Sequence, residues 1–361
     1  MPKVALVTGA NGITGTAIIE HLVRNTTPGK WSRIVITSRS PVKLLVEDAR
    51  IEFIALDFTN HHEALAQAME QSCKDVTHAY FSSYIHKDDF AELNLANKAL
   101  FENFLQALIL AAPNLQNCTL QTGGKYYGLH LGPVPTPCRE EEPRRGKADE
   151  NFYFPQEDFL AEKQKGERSE PNGMNSALSC ALYFMICKEL GEVTRMPTNQ
   201  LYWNGTETNS DAPLLAKFTV WASTSPECAN QAFNFVNGDH FTWGYMWPRL
   251  AEYMGAATSS DQNFDKPIPP QGEVQQEFSL AEWAKDKRAV WDQICENAGM
   301  PEVKSTFDAG TWAFQDRVFM RTWYPSLSMN KAKKFGWTGF VDSYDSITGA
   351  FEKFRELKQI P

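Results

Sequence analysis

Between the apolar run Val4-Ala5-Leu6-Val7 and a segment with helical spacing of apolar residues, Ile13 to Arg24, lies Gly9-Ala10-Asn11-Gly12-Ile13-Thr14-Gly15. Three glycines in a turn from strand to helix allow a tight bend and a close approach of backbone to a pyrophosphate. The helix N-terminus behind them offers free N–H groups and a positive dipole end to the same anion. Gly9, Gly12 and Gly15 therefore point to a dinucleotide. The second apolar run ends in Thr37-Ser38-Arg39-Ser40, without the carboxylate that holds a ribose 2′-hydroxyl. Arg39 instead offers a fork of donors suited to a 2′-phosphate, which favours NADP(H); the alternative is a solvated loop arginine. Asp57, closing the third run, can accept from an adenine amino group or cap the next helix. A common proton-donor arrangement beside a nicotinamide is Tyr followed four residues later by Lys, so that both share a helical face. Here Tyr127 is followed at that distance by Leu131, Tyr153 by Glu157, Tyr183 by Cys187, and no tyrosine by lysine.

Two other segments stand in its place. Gln121-Thr122-Gly123-Gly124-Lys125-Tyr126-Tyr127-Gly128 follows the fifth apolar run, and Asn151-Phe152-Tyr153-Phe154-Pro155-Gln156-Glu157-Asp158 opens a helix. Further segments are Ser210-Asp211-Ala212-Pro213-Leu214-Leu215-Ala216, Ala232-Phe233-Asn234-Phe235-Val236-Asn237-Gly238-Asp239, Trp247-Pro248-Arg249-Leu250-Ala251 and Ser328-Met329-Asn330-Lys331-Ala332. Together they make the chain resemble the progesterone 5β-reductase and iridoid synthase-like enone reductases, an atypical branch of the short-chain dehydrogenases. The resemblance runs over almost the whole chain. It implies that Lys125 and Tyr153 act together. Hydride delivered to the β-carbon of an α,β-unsaturated carbonyl drives negative charge onto the carbonyl oxygen. A phenol aimed at that oxygen stabilises the enolate, and a nearby ammonium makes the phenol a stronger donor. The resemblance also implies cofactor contacts at Asn11, Gly12 and Ile13, at Arg39, at Asp57 and Phe58, at Ser83 and Tyr84, and at Gln121. Ser40 stands where many members carry a second arginine, which leaves room for dual cofactor use.

The elements that must position these residues are legible as alternation. Arg33 to Thr37, Ile51 to Leu56, Val76 to Ser82 and Asn117 to Gln121 suit buried parallel strands. Helical segments are expected near Pro41–Glu47, His61–Gln71 and Asp88–Ala111. This is the pattern of an α/β fold with a Rossmann-type, doubly wound parallel sheet. Residues 1–190 would form the dinucleotide-binding domain. Residues 191–361 would form a smaller, mostly helical substrate region with some segments returning to the sheet. Phe235-Val236-Asn237-Gly238 reads as one more strand and turn, Pro267 to Gln276 as an exposed loop, and Phe351 to Lys358 as a terminal helix. Nine of the ten tryptophans follow residue 200, which fits a flat apolar pocket or plain core packing. Between Glu167 and Pro171 the chain lacks the sixth strand that the resemblance implies, and it rejoins the pattern at Asn172-Gly173-Met174-Asn175. A later strand would have to fill the gap, or the gene model lacks a piece, or cofactor binding is poor.

Composition narrows the class. The chain has 361 residues, 42% apolar, with 35 Lys and Arg against 44 Asp and Glu, so 35 − 44 = −9. With a pI near 5.4 and no strongly basic stretch, nucleic acid and anionic membrane are not the expected partners. No apolar run approaches the ~18 residues of a membrane span, and the N-terminus lacks a secretory leader. Seven scattered cysteines without a CxxC pair read as reduced thiols in a cytoplasmic protein. His61 and His62 are the only adjacent histidines, so no metal is expected. The leading expectation is an NADPH-dependent reductase of the C=C bond of an α,β-unsaturated carbonyl in a hydrophobic small molecule of specialised metabolism, monomeric or homodimeric. The alternatives are a carbonyl reductase, epimerase or cyclase of the same superfamily, and a non-catalytic NADP(H)-binding protein.

Overall fold

The computed structural model describes residues 2–87, 89–146, 150–164, 176–259 and 261–361. β1 (Lys3–Thr8) is buried from Val4 to Thr8, as a strand in the middle of a parallel sheet must be. Its neighbours follow in α/β alternation: α1 (Ile13–Asn25), β2 (Trp31–Ser38), β3 (Ile51–Ala55), α2 (His62–Cys73), β4 (His78–Phe81), α3 (Phe90–Ala111) and β5 (Asn117–Leu120). All pairings are parallel and the strand order is β3-β2-β1-β4-β5. The order reverses between β1 and β4, the switch point where such sheets open a crevice at their carboxyl ends. This is the doubly wound Rossmann-type fold.

Side-chain alternation along β1 divides the core into two layers. Val4 and Leu6 pack with Leu65, Met69, Phe101, Phe104 and Leu105 of α2 and α3. Ala5 and Val7 pack with Ile18, Ile19 and Leu22 of α1. Each such buried side chain contributes about 1.5–3 kcal/mol.

After β5 come α4 (Tyr153–Gln164), which packs on α3, and α5 (Ser176–Leu190). They are followed by α6 (Gln200–Asn204), β6 (Thr206–Glu207) and α7 (Ala212–Thr224). α7 returns to lie against α1, and Ala216 and Val220 join the α1 layer. The remainder is β7 (Phe241–Thr242), α8 (Trp243–Tyr253), α9 (Leu280–Ala284), α10 (Arg288–Asn297), α11 (Trp312–Phe319), α12 (Asn330–Lys334) and α13 (Ser343–Glu356). A second large core joins α5 to Trp247, Trp291, Phe319 and Phe351. All seven cysteines are buried free thiols. Among the described residues no helix is long and apolar enough to cross a membrane.

Several segments differ from the sequence expectation. Residues 41–47 are not helical. Val42, Leu44 and Val46 instead point alternately into the α1 layer, so an extended path buries what a short isolated helix would leave exposed. Residues 235–238 form no strand; Phe235 O accepts from Ser210 Oγ and Asn237 N–H donates to Asn209 O. The terminal helix begins at Ser343, where the Asp342 carboxylate caps Tyr344 and Asp345 N–H. Trp247 and Trp291 are 1% and 0% exposed, so these rings belong to the core. The expected departure at Glu167–Pro171, with the rejoining Asn172–Asn175, lies outside the described residues.

Candidate active site

The glycine turn has the backbone its residues require. Gly9 sits at φ 61°, and a Cβ there would lie 2.6 Å from Ser82 O. A Cβ on Gly15 would meet the Gly9 carbonyl at 2.2 Å, so the helix can approach the turn only as glycine. Gly12 is the N-cap of α1; no side chain closes that end and no acid lies in the first turn. The helix end is therefore open to an anion. Asn11 and Ile13 are exposed beside it, Ile13 by 42% despite its apolar side chain.

The other expected cofactor residues stand at the same edge of the sheet. Arg39 is exposed just beyond β2, without an ion-pair partner among the described residues. Asp57 does not cap α2, whose N-cap is His61. Its Oδ1 instead accepts from Thr59 N–H at 3.1 Å and Thr59 Oγ1 at 2.9 Å, holding the turn after β3. The Phe58 ring is core, 5.2 Å from Phe104 edge-on, and its carbonyl accepts from Asn103 Nδ2 at 3.1 Å. Ser83 Oγ donates to Thr8 Oγ1 at 3.0 Å, and Ser82 Oγ donates to Thr8 O at 2.6 Å. These bonds lace the ends of β1 and β4 across the crevice.

Four of the buried polar atoms without a partner lie at this edge. Thr37 Oγ1 at the end of β2, the Tyr84 hydroxyl after β4, and Gln121 Oε1 and Thr122 Oγ1 after β5 are buried without partners. Burial also pushes the Tyr84 phenol above its usual pKa. Buried polar groups left unpaired cost about 1–3 kcal/mol each, so a polar ligand or water at this edge would relieve them. Residues and edge fit a dinucleotide. Thr37 and Thr122 were not singled out from the sequence, although hydroxyls ending buried strands were the signal available.

Lys125 lies in a single 3₁₀ turn, Gly124–Tyr127, that Gly128 ends at φ 76°. Its ammonium sits over the Phe90 ring at 5.4 Å. Burial, and then the Arg317 guanidinium, hold its pKa below the usual lysine range. Phe90 in turn stacks on His130 at 5.5 Å, and burial lowers the pKa of that imidazole.

Asn151 joins this turn to α4. Its Nδ2 donates to Lys125 O at 2.8 Å, and its Oδ1 accepts from Tyr153 N–H at 3.2 Å. Tyr153, the first residue of α4, is 3% exposed in a cluster with Phe152, Phe154, Tyr126 and Tyr127. Two anchors fix the cluster. Tyr126 donates to Glu157 Oε2 at 3.2 Å, with Arg144 bridging Glu157 and Asp158, and Tyr127 donates to Asn234 Oδ1 at 2.7 Å. The backbones of Lys125 and Tyr153 are thus brought to one amide. Asn151 was part of the quoted motif but its linking role was not foreseen, because a side-chain bond across 26 positions leaves no periodic trace.

Comparison with known proteins agrees with this architecture. Residues 5–171 match the family described as a PRISE-like Rossmann-fold domain. The short chain dehydrogenase gsfE of Penicillium aethiopicum is 55% identical, with 100% of each chain covered. The (S)-8-oxocitronellyl enol synthase of Catharanthus roseus is 31% identical over 99% of this chain and 92% of its own. The 3-oxo-Delta(4,5)-steroid 5-beta-reductase of Arabidopsis thaliana is also 31% identical, over 99% of this chain and 93% of its own. Among solved structures, Bordetella bronchiseptica WbmH in complex with NAD+ superposes with TM-score 0.62 at 18% identity, covering 99% of both chains. That likeness concerns the fold. The chain belongs to the progesterone 5β-reductase and iridoid synthase-like family, a branch of the short-chain dehydrogenase/reductase superfamily of oxidoreductases.

Proposed function

We propose that the protein is an NADPH-dependent reductase of the C=C bond of an α,β-unsaturated carbonyl, acting on a hydrophobic small molecule of specialised metabolism. The observation that carries this reading is the junction of the Lys125 turn and the start of α4 through Asn151, at the carboxyl edge of the same sheet from which α1 starts. The names of the plant relatives, an enol synthase and a steroid 5β-reductase, support the same class of reaction. Gly9, Asn11, Gly12, Ile13 and Gly15 would hold the pyrophosphate, and Arg39 the 2′-phosphate. Asp57 and the Phe58 backbone would serve the adenine, and Ser83, Tyr84 and Gln121 the ribose and nicotinamide end. When bound, the dinucleotide would supply a hydride for the β-carbon, which would place negative charge on the carbonyl oxygen. The Tyr153 phenol then donates a hydrogen bond to the enolate oxygen, and the Lys125 ammonium strengthens that donation. Water delivers the proton that completes the α-carbon.

The test is product analysis with deuterated NADPH and cyclohexenone or progesterone. The reading expects a saturated ketone labelled at the β-carbon, and faster turnover with NADPH than NADH. An allylic alcohol labelled at the carbonyl carbon would replace the proposal with carbonyl reduction.

A further inference from the structure

Phe90 is the first residue of α3, capped by Asp89, whose Oδ1 accepts from Glu92 N–H at 2.8 Å. α3 follows β4 and the Lys125 turn follows β5, and these two strands pair in parallel. Ring and turn therefore leave the sheet from neighbouring strands at its carboxyl edge. The Phe90 ring is 43% exposed and joins no apolar core among the described residues. What it meets instead is the Lys125 ammonium, over the ring at 5.4 Å, and the His130 imidazole, stacked at 5.5 Å with 10° between the planes. His130 is itself tied down. A carbonyl only accepts, so its Nε2 carries the proton and donates to Glu150 O at 3.2 Å.

Lys125 is half-buried, and among the described residues no carboxylate pairs with it. The titratable groups beside it are Arg317 of α11, which repels it, His130 and, next to His130, Glu150. Burial and a like charge both disfavour the ammonium, so a compensating contact is needed to keep it charged. A carboxylate would serve, but it would also cancel the positive field. The negative face of an aromatic ring attracts a cation without adding a charge, and does so more strongly where water is thinned out.

We propose that Phe90 is a positioning residue for Lys125: its ring face holds the ammonium charged and in place without neutralising it. The inference rests on the reductase reading only for the use made of that charge. The contact between ring and ammonium stands apart from it.

The test reads the protonation of Lys125 separately from turnover. The full chain is labelled with acetic anhydride across a pH series, and acetylation of Lys125 is followed by peptide mass spectrometry, since only the neutral amine reacts. Phe90→Leu keeps an apolar cover and removes the ring face. The labelling midpoint should then fall by about 0.5–1 pH unit, the worth of one cation–π contact. Phe90→Trp supplies the strongest ring face and should keep the midpoint at or above the wild-type value. With NADPH and cyclohexenone, the alkaline limb of the rate should move down with the label in Phe90→Leu. Position 90 lies outside the cores and its cap is untouched, so both variants should fold, which circular dichroism checks. An unchanged or raised midpoint in folded Phe90→Leu, or a midpoint that falls as far with Phe90→Trp, would overturn the assignment. A lowered midpoint in Phe90→Leu with an unaltered pH profile of the rate would uphold it and refute the use of Lys125 in the reductase reading.

Discussion

Asn151 is the residue through which the account can be tested quantitatively without touching either proposed reacting group. It is 2% exposed, and Asn151→Ala removes its donor to Lys125 O and its acceptor for Tyr153 N–H. Each buried group left unpaired costs about 1–3 kcal/mol, and partial relaxation makes about 2–4 kcal/mol a fair sum for the two. That loss should appear as a lower urea midpoint by circular dichroism. The sharper expectation is kinetic. With the turn and α4 no longer tied to one amide, a displacement near 1 Å lowers kcat by about 10²-fold. NADPH affinity, which the proposal assigns to the glycine turn and Arg39, should stay at the wild-type level. A folded Asn151→Ala enzyme with unchanged kcat would refute the reasoning, because the junction would then position nothing.

Two further outcomes follow from the same geometry. Arg39→Ala should raise the Kd of NADPH by about 10–100-fold, the value of one or two charge-assisted hydrogen bonds, and leave that of NADH in place; fluorescence titration of both cofactors checks this. In the proposed mechanism Lys125 acts as an ammonium, so the rate should fall as pH rises through its pKa. Burial and Arg317 set that pKa below the usual lysine range. His130, also beside Lys125, has its pKa lowered by burial and is already neutral over this limb. Arg317→Gln removes the repulsion and should move the alkaline limb to higher pH, whereas an unshifted profile would separate Arg317 from the site.

Much of the nucleotide half was legible because it obeys local rules. Strand, glycine turn and helix follow from Val4–Gly15, and the apolar runs ending at Thr37, Leu56, Ser82 and Gln121 appear as four of the five strands, within a residue or two, although β3 is only half-buried. What escaped is tertiary. Alternation of Val42, Leu44 and Val46 beat a short helical reading because a core layer lay beside it. Asp57 satisfies its own turn at Thr59, a choice that depends on where α2 starts. Residues 235–238 look like a strand locally, but they pair with no strand among the described residues. The tryptophan-rich second half left a flat pocket and plain core packing open, and Trp203, Trp243, Trp247 and Trp291 lie in a core. Composition records how much aromatic area there is; it does not record which way it faces.

The central claim is that Lys125 and Tyr153 stabilise one developing oxyanion as a unit. Its most direct test is a double-mutant cycle on the single-turnover rate of NADPH oxidation with a saturating enone, using Tyr153→Phe, Lys125→Met and the double variant. The account predicts a loss of about 10²–10³-fold for the phenol and little more for the pair, since groups acting together are not additive. Losses that multiply independently, or a Tyr153→Phe enzyme as fast as the wild type, would contradict it.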